Sequence, residues 1–144
     1  MVIMAVDLGR ARTGLAICDK GEMLSSPLTQ INEYNRERLI EKIAQIAKEK
    51  SAELIVVGMP KNMDGSEGES AKNARLFAKE LCDAAGIQTD LQDERGTTIT
   101  AHQYLNATNT RGKKRKSVVD TLSATIILED YLNRRKNGYN AGKE

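Results

Sequence analysis

The sequence predicts an α/β fold. The expected sheet has five strands and is mixed: an antiparallel three-strand meander plus parallel strands, flanked by helices. Three observations predict it. Two short apolar runs, Val2–Val6 and Gly14–Cys18, are followed by a third strand-like stretch after the Lys20-Gly21-Glu22 turn. Helical and strand periodicities then alternate. The last long apolar pattern is helical and follows the strands.

The elements follow in order. Strand one covers about Val2 to Leu8. It is a continuous Val/Ile/Met run, the pattern of a strand covered on both faces. Strand two covers about Thr13 to Asp19, and strand three about Leu24 to Ile31. The first helix carries Leu39, Ile40, Ile43, Ile46 and Ala47 on one face, with Asn35 as its N-cap. Leu54–Val57 is a short buried strand ending at Gly58, before a loop from Met59 to Gly65. Ser66 and Glu69 have the spacing of a capping box. They open a helix with Ala71, Ala74, Phe77, Ala78, Leu81 and Ala85 inward, and Gly86 closes it. Ile87 to Asp93 alternates apolar and polar residues, which suits a sheet edge. A short helix is expected over Thr98–Asn106 and a basic loop over Ala107–Lys116. A final helix is expected from about Val118 to Arg135. The expected organisation is one domain over residues 1–135, with a disordered tail over 136–144.

Composition narrows the function classes. At 144 residues the chain can bury roughly 68–70% of its unfolded surface, so it needs no metal or disulfide staples. Cys18 and Cys82 read as free, buried thiols in a reducing compartment. No apolar run approaches the ~20 residues of a membrane span, and no secretory signal is read at the N-terminus. A cytoplasmic protein with no membrane partner is expected. A net charge of +2 decides no partner by itself. With no Trp and a single Phe, base stacking is not the expected means of binding.

Three acids stand out. Asp7 ends an apolar strand, where a carboxylate is costly to desolvate unless a cation meets it. Asp93-Glu94-Arg95 follows the last strand. Asp120 shares a helical stripe with Ala124, Ile127, Leu128 and Tyr131. Carboxylates on separate elements, converging on hard cations, are what metal-assisted phosphodiester chemistry requires. Asp120 has a plainer reading, because Ser117 and Asp120 have capping spacing and an Asp in a first turn favours the helix dipole. Asp93 and Glu94 point to opposite faces if the strand continues. Glu94 is favoured as the ligand because it continues the polar face of Gln88, Asp90 and Gln92.

These residues resemble the YqgF-type (RuvX-like) family of small RNase H-like nucleases, described as Holliday junction resolvases or pre-16S rRNA nucleases. Asp7-Leu8-Gly9 with Arg12 and Gly14 resembles the family's opening motif. Gly58-Met59-Pro60 with Asp64-Gly65 resembles its second. Asp93-Glu94-Arg95 with Thr97-Thr98 resembles its third, and Asp120 with Ala124, Ile127 and Leu128 its late helix. Three positions depart from the pattern. Ala11 stands where a basic residue is usual, Gly96 where an apolar residue is usual, and Ser123 where Ala is usual. The resemblance implies an RNase H-like fold and metal-dependent hydrolysis, with Asp7, Glu94 and Asp120 as both metal ligands and catalytic residues. It also implies Mg²⁺ or Mn²⁺ as cofactor, and pre-16S rRNA or branched DNA as substrate.

Basic residues complete the picture. Arg10 and Arg12, between the first two strands, and Arg95 are candidates for phosphate positioning. Arg111, Lys113, Lys114, Arg115 and Lys116 read on composition as a solvated loop, and beside a nuclease site as a clamp on a nucleic-acid backbone. His102 is expected at the surface. Nothing in the residues separates RNA from DNA or a monomer from a homodimer. Two other classes remain: an actin-like ATPase or sugar kinase, for which one domain is too short, and a non-catalytic binding module on the same fold.

Overall fold

The computed structural model describes residues 1–9, 11–59, 68–93 and 112–141, with the backbone alone for 112–120 and 137–141. Among the described residues, five strands and three helices follow in the order β1 (Ile3–Asp7), β2 (Arg12–Cys18), β3 (Ser25–Asn32), α1 (Arg36–Glu49), β4 (Leu54–Met59), α2 (Glu69–Ala85), β5 (Gln88–Asp93) and α3 (Gly112–Ala141). The sheet order is β3-β2-β1-β4-β5. Antiparallel pairing joins β1 to β2 and β2 to β3, and parallel pairing joins β1 to β4 and β4 to β5. The expected α/β architecture and mixed sheet are both observed. The half-polar strand β5 lies at an edge, as its alternation predicts, while the all-apolar strands β1 and β4 are central.

Strand alternation divides the core into two layers. Met4, Val6, Leu15, Ile55 and Val57 face α1 and α2, packing on Ile43, Phe77 and Leu81. Ile3, Ala5, Ala16, Leu54 and Val56 face α3, packing on Ala124, Ile127, Leu128, Tyr131 and Leu132. Nearly all of these are fully buried, and each large aliphatic contributes about 1.5–3 kcal/mol. α3 covers its side of the sheet alone among the described helices.

Polar contacts fix the register of α3. Tyr131 donates its hydroxyl to Asp90 on β5 at 2.7 Å. Arg135 donates to Glu22 at 2.8 Å, and Glu22 also accepts from the Met1 amine at 3.1 Å. Glu22 holds this position from a turn with φ 55°, the left-handed region that non-glycine residues seldom adopt. Half-exposed pairs of this kind are worth at most about 1 kcal/mol, so they orient the helix rather than hold it on.

The expected caps divide. Asn35 caps α1, its side chain accepting from the Arg38 N–H at 3.0 Å. Gly86 closes α2 in the left-handed conformation, with φ 69°. The capping box does not form as expected, because α2 begins at Glu69 behind Gly68 and has no side-chain cap. Glu69 is therefore the first helical residue, and its charge acts on the helix dipole instead. Ser66 lies outside the described residues, as do the expected helix over 98–106 and His102. Cys18 is buried and free, but Cys82 is only half-buried, since the rim of α2 leaves it partly open.

The last helix differs most from expectation. It starts at Gly112 rather than near Val118, and it runs to Ala141, past the expected end at Arg135. Lys and Arg are good helix formers, and charge density is a poor guide to a loop. After Pro60 the chain has no proline to stop a helix.

The bonds from Arg135 and from the Met1 amine hold the Glu22 carboxyl below its usual range. The pair's stability is present above the unfolded pKa of about 4.3 and is lost as pH falls through the lower folded value. Glu22→Gln should therefore lower stability at pH 7 by up to about 1 kcal/mol. The difference should shrink as pH falls through the carboxylate range, as read by denaturant melts across pH.

Candidate active site

Asp7 is the last residue of β1, half-buried where the covered strand reaches the sheet's rim. Alternation after Ile3 and Ala5 puts it on the α3 face. Its antiparallel partner on β2 is Gly14. On the other side Val6 pairs with Val57, so the next position along β4 is Gly58. Gly14 and Gly58 thus flank Asp7 in the two neighbouring strands.

The turn after Asp7 is tight. A side chain at Gly9 would overlap the Arg12 carbonyl oxygen, so only glycine lets the chain fold back into β2. This explains an Asp-Leu-Gly sequence in local terms: the acid at the strand end and the reversal two residues later. Arg12 is exposed at the start of β2, on the same rim as Asp7. Arg10 lies outside the described residues.

The backbone of Asp120 belongs to α3, one turn ahead of Ala124. From the shared cluster containing Ala5 and Ala124, Asp7 lies about 7 Å further along β1. Position 120 lies about 6 Å further along α3. The Arg135–Glu22 bond, beside the start of β1, fixes the opposite end of the helix. The N-terminal half of α3 therefore heads for the rim where Asp7 sits. Because α3 has already begun at Gly112, neither Ser117 nor Asp120 is at its first turn, and the capping reading of Asp120 is set aside.

On β5, Thr89 donates to the Ala78 carbonyl of α2, and Asp90 on the opposite face accepts from Tyr131 of α3. Asp93 thus falls on the α2 side by alternation, and Gln92 on the side of Asp7. Glu94, Arg95 and Arg111 lie outside the described residues. Lys113, Lys114, Arg115 and Lys116 occupy the first turns of α3, not the loop expected for them. Among the described residues no group of three or more His, Cys, Asp or Glu could hold a metal, since of the three expected ligands only the Asp7 side chain is described.

Gln92 is a residue of this rim that sequence patterns alone did not single out. It is 9% exposed, and its side-chain oxygen is buried without a hydrogen-bond partner. Its place on the polar face of β5 was visible. Its burial was not, because burial depends on tertiary packing over an edge strand.

A five-stranded mixed sheet in this order, with an acid ending the first strand and a helix crossing it, defines an RNase H-like α/β protein. The solved structures similar to it in fold include Thermus thermophilus RuvC, with a TM-score of 0.55 at 13% identity, covering 94% of this chain and 97% of that one. T. thermophilus RuvC in complex with a Holliday junction substrate gives a TM-score of 0.58 at 12% identity, covering 95% and 96%. At these identities the likeness concerns the fold.

The chain belongs to the RuvX family, described as Holliday junction resolvase, whose family model matches residues 1–134. Relatives bearing the name "Putative pre-16S rRNA nuclease" include one from Chloroflexus aurantiacus, 36% identical over 99% of this chain and 94% of that protein. Another, from an Anaeromyxobacter species, is 39% identical over 94% and 98%. Membership of this nuclease and resolvase family makes the protein a hydrolase of phosphodiester bonds.

Gly9→Ala should force the β1–β2 turn apart. The expected result is a fall in stability of about 1–3 kcal/mol with loss of cleavage, measured by thermal unfolding and a nuclease assay.

Proposed function

We propose that the protein is a metal-dependent endonuclease acting on structured nucleic acid, and that it processes the 5′ end of precursor 16S rRNA during ribosome maturation. The observation that carries the proposal is Asp7 itself: a half-buried carboxylate at the end of a central strand, flanked by Gly14 and facing α3. A carboxylate in that place, on a chain of the RuvX family, is positioned to serve as a cation ligand. Asp7, Glu94 and Asp120 are the residues proposed to hold the Mg²⁺ or Mn²⁺. All three offer oxygen, the donor type that hard cations select. When bound, the metal supplies an activated water and stabilises the departing oxygen.

Two backbone features support this reading. Asp is a poor residue for a helix interior, yet Asp120 stands inside α3. Strand alternation also favours Glu94 over Asp93, because Asp93 falls on the α2 side.

The basic residues bind and orient the substrate. Lys113, Lys114, Arg115 and Lys116 crowd the start of a helix whose first turn has no acid. Cations there oppose the helix dipole by about 0.3–1 kcal/mol each, and a phosphate backbone relieves both the dipole and the mutual repulsion. Arg10, Arg12, Arg95 and Arg111 would add phosphate contacts near the cleavage point. The substrate follows from the relatives' names. Branched DNA is the second reading, favoured by the family description and by the junction-bound structure of similar fold. Work on rRNA precursors would place the protein in the cytoplasm.

The test pairs precursor rRNA with a four-way DNA junction, each incubated with Mg²⁺ or Mn²⁺. The parent protein should cleave the rRNA near its 5′ end, and Asp7→Asn should lose about 100-fold or more. Cleavage that survives in Asp7→Asn contradicts the metal mechanism, and cleavage of the junction alone selects the second reading. Replacing Lys113, Lys114, Arg115 and Lys116 with Gln should weaken binding equally across sequences. It should also lower the slope of log affinity against log salt by about 0.7–0.9 for each phosphate that these side chains no longer neutralise.

A further inference from the structure

We infer that Gln30 and Asn32 form a ribose-reading subsite, in which their paired side-chain amides hydrogen-bond a 2′-hydroxyl of the RNA strand that is cut at Asp7. The inference rests on the rRNA reading above and names residues that tell RNA from DNA. Strand register supplies the geometry. Asp7 pairs with Gly14 on β2, and Gly14 pairs with Gln30 on β3. The next rung outward on the same face pairs Arg12 with Asn32. Paired residues share a face of the sheet, so Gln30, Arg12 and Asn32 stand on the α3 face with Asp7. Ile31, between the two amides, belongs to the core layer on the other face. The Cα atoms of Asp7 and Gln30 are about 9.5 Å apart, two strand spacings. β3 is the outer strand of the sheet, with Asn32 exposed and Gln30 half-buried. No residue from Ser25 to Asn32 is charged, so a polyanion meets no repulsion from this strand.

Hydrogen bonding supplies the chemistry. The Gln30 Nε2 donates to the Asn32 Oδ1 at 2.9 Å. That bond uses one N–H and one lone pair. Whichever way round the two amides stand, the pair keeps further N–H donors and a carbonyl acceptor. A phosphate oxygen only accepts, and it suits a cation such as Arg12. A 2′-hydroxyl both donates and accepts, and only ribose carries it. A donor and an acceptor held side by side are the complement of that group. The bond between the amides also restrains both side chains, which lowers the entropy lost when a hydroxyl binds. Neutral amides release no counterions, so they add discrimination between sugars without adding salt dependence.

The test is fluorescence anisotropy with a labelled precursor fragment spanning the 5′ end of 16S rRNA, and with copies that each lack one 2′-hydroxyl. No divalent metal is added, so binding is read without cleavage. For the parent protein one copy, or two adjacent ones, should bind about 3–10-fold more weakly, the loss of one or two hydrogen bonds. Asn32→Ala and Gln30→Met should bind the intact fragment more weakly by the same factor and should no longer distinguish the copies. Their unfolding temperatures and their slopes of log affinity against log salt should match the parent's. Arg12→Gln should do the reverse, lowering the slope by about 0.7–0.9 while the penalty for the missing hydroxyl remains. If Gln30→Met fails to fold, Asn32→Ala, at an exposed position, decides alone. A penalty that persists in the amide variants, or a parent protein indifferent to every missing hydroxyl, overturns the subsite; cleavage of the rRNA then still supports the proposed function. Binding and cleavage of the four-way DNA junction in place of the rRNA overturns the RNA reading, and the subsite with it.

Discussion

A carboxylate at the end of a strand buried on both faces is what every other feature of the site answers to. β1 can be central only because Ile3 to Val6 are fully apolar and covered by helices on each side. That same burial makes Asp7 costly. A polar rim, glycines beside it, and a charged or metallic partner are the ways a fold can carry such a group. Gly14 and Gly58 clear the neighbouring strands, and Gly9 lets the chain turn back at once. The residues that open the site are thus the ones that contribute no side chain to it.

The two core layers have different duties. The layer under α1 and α2 is the larger, built on Phe77, Leu81 and Ile43, and it anchors the sheet. The layer under α3 is thinner, and its small residues Ala5, Ala16 and Ala124 let the helix approach the strands closely. That approach brings position 120 toward the rim of β1. The contacts of Tyr131 and Arg135 at the far end stop the helix from sliding. Modest surface pairs thereby fix the lie of the helix along the sheet.

Much of this was legible in the sequence, for identifiable reasons. Unbroken apolar runs marked β1 and β4, alternation marked the edge strand β5, and Asn35 and Gly86 marked helix ends through local hydrogen-bonding and φ preferences. The start of α3 was hidden because a run of Lys and Arg suits a helix as well as a solvated loop, and spacing alone made Asp120 a cap. The Ser66–Glu69 pair misled because a capping motif needs the helix to begin at one particular residue, and α2 begins at Glu69. Gln92 was legible as polar and strand-borne but not as buried, because burial at an edge strand is decided by tertiary packing. The acids at positions 7, 94 and 120 were picked out by type and spacing. The convergence proposed for them would be a tertiary property, which no local pattern encodes.

If the proposed mechanism holds, one cation site unites a strand end, the segment after β5 and the covering helix. Crystals grown with Mn²⁺, with diffraction recorded at the manganese absorption edge, would reveal that site. The expected result is an anomalous peak within bonding distance of carboxylate oxygens of Asp7, Glu94 and Asp120. A peak elsewhere, or an Asp7 carboxylate engaged only by protein side chains at saturating Mn²⁺, would contradict it.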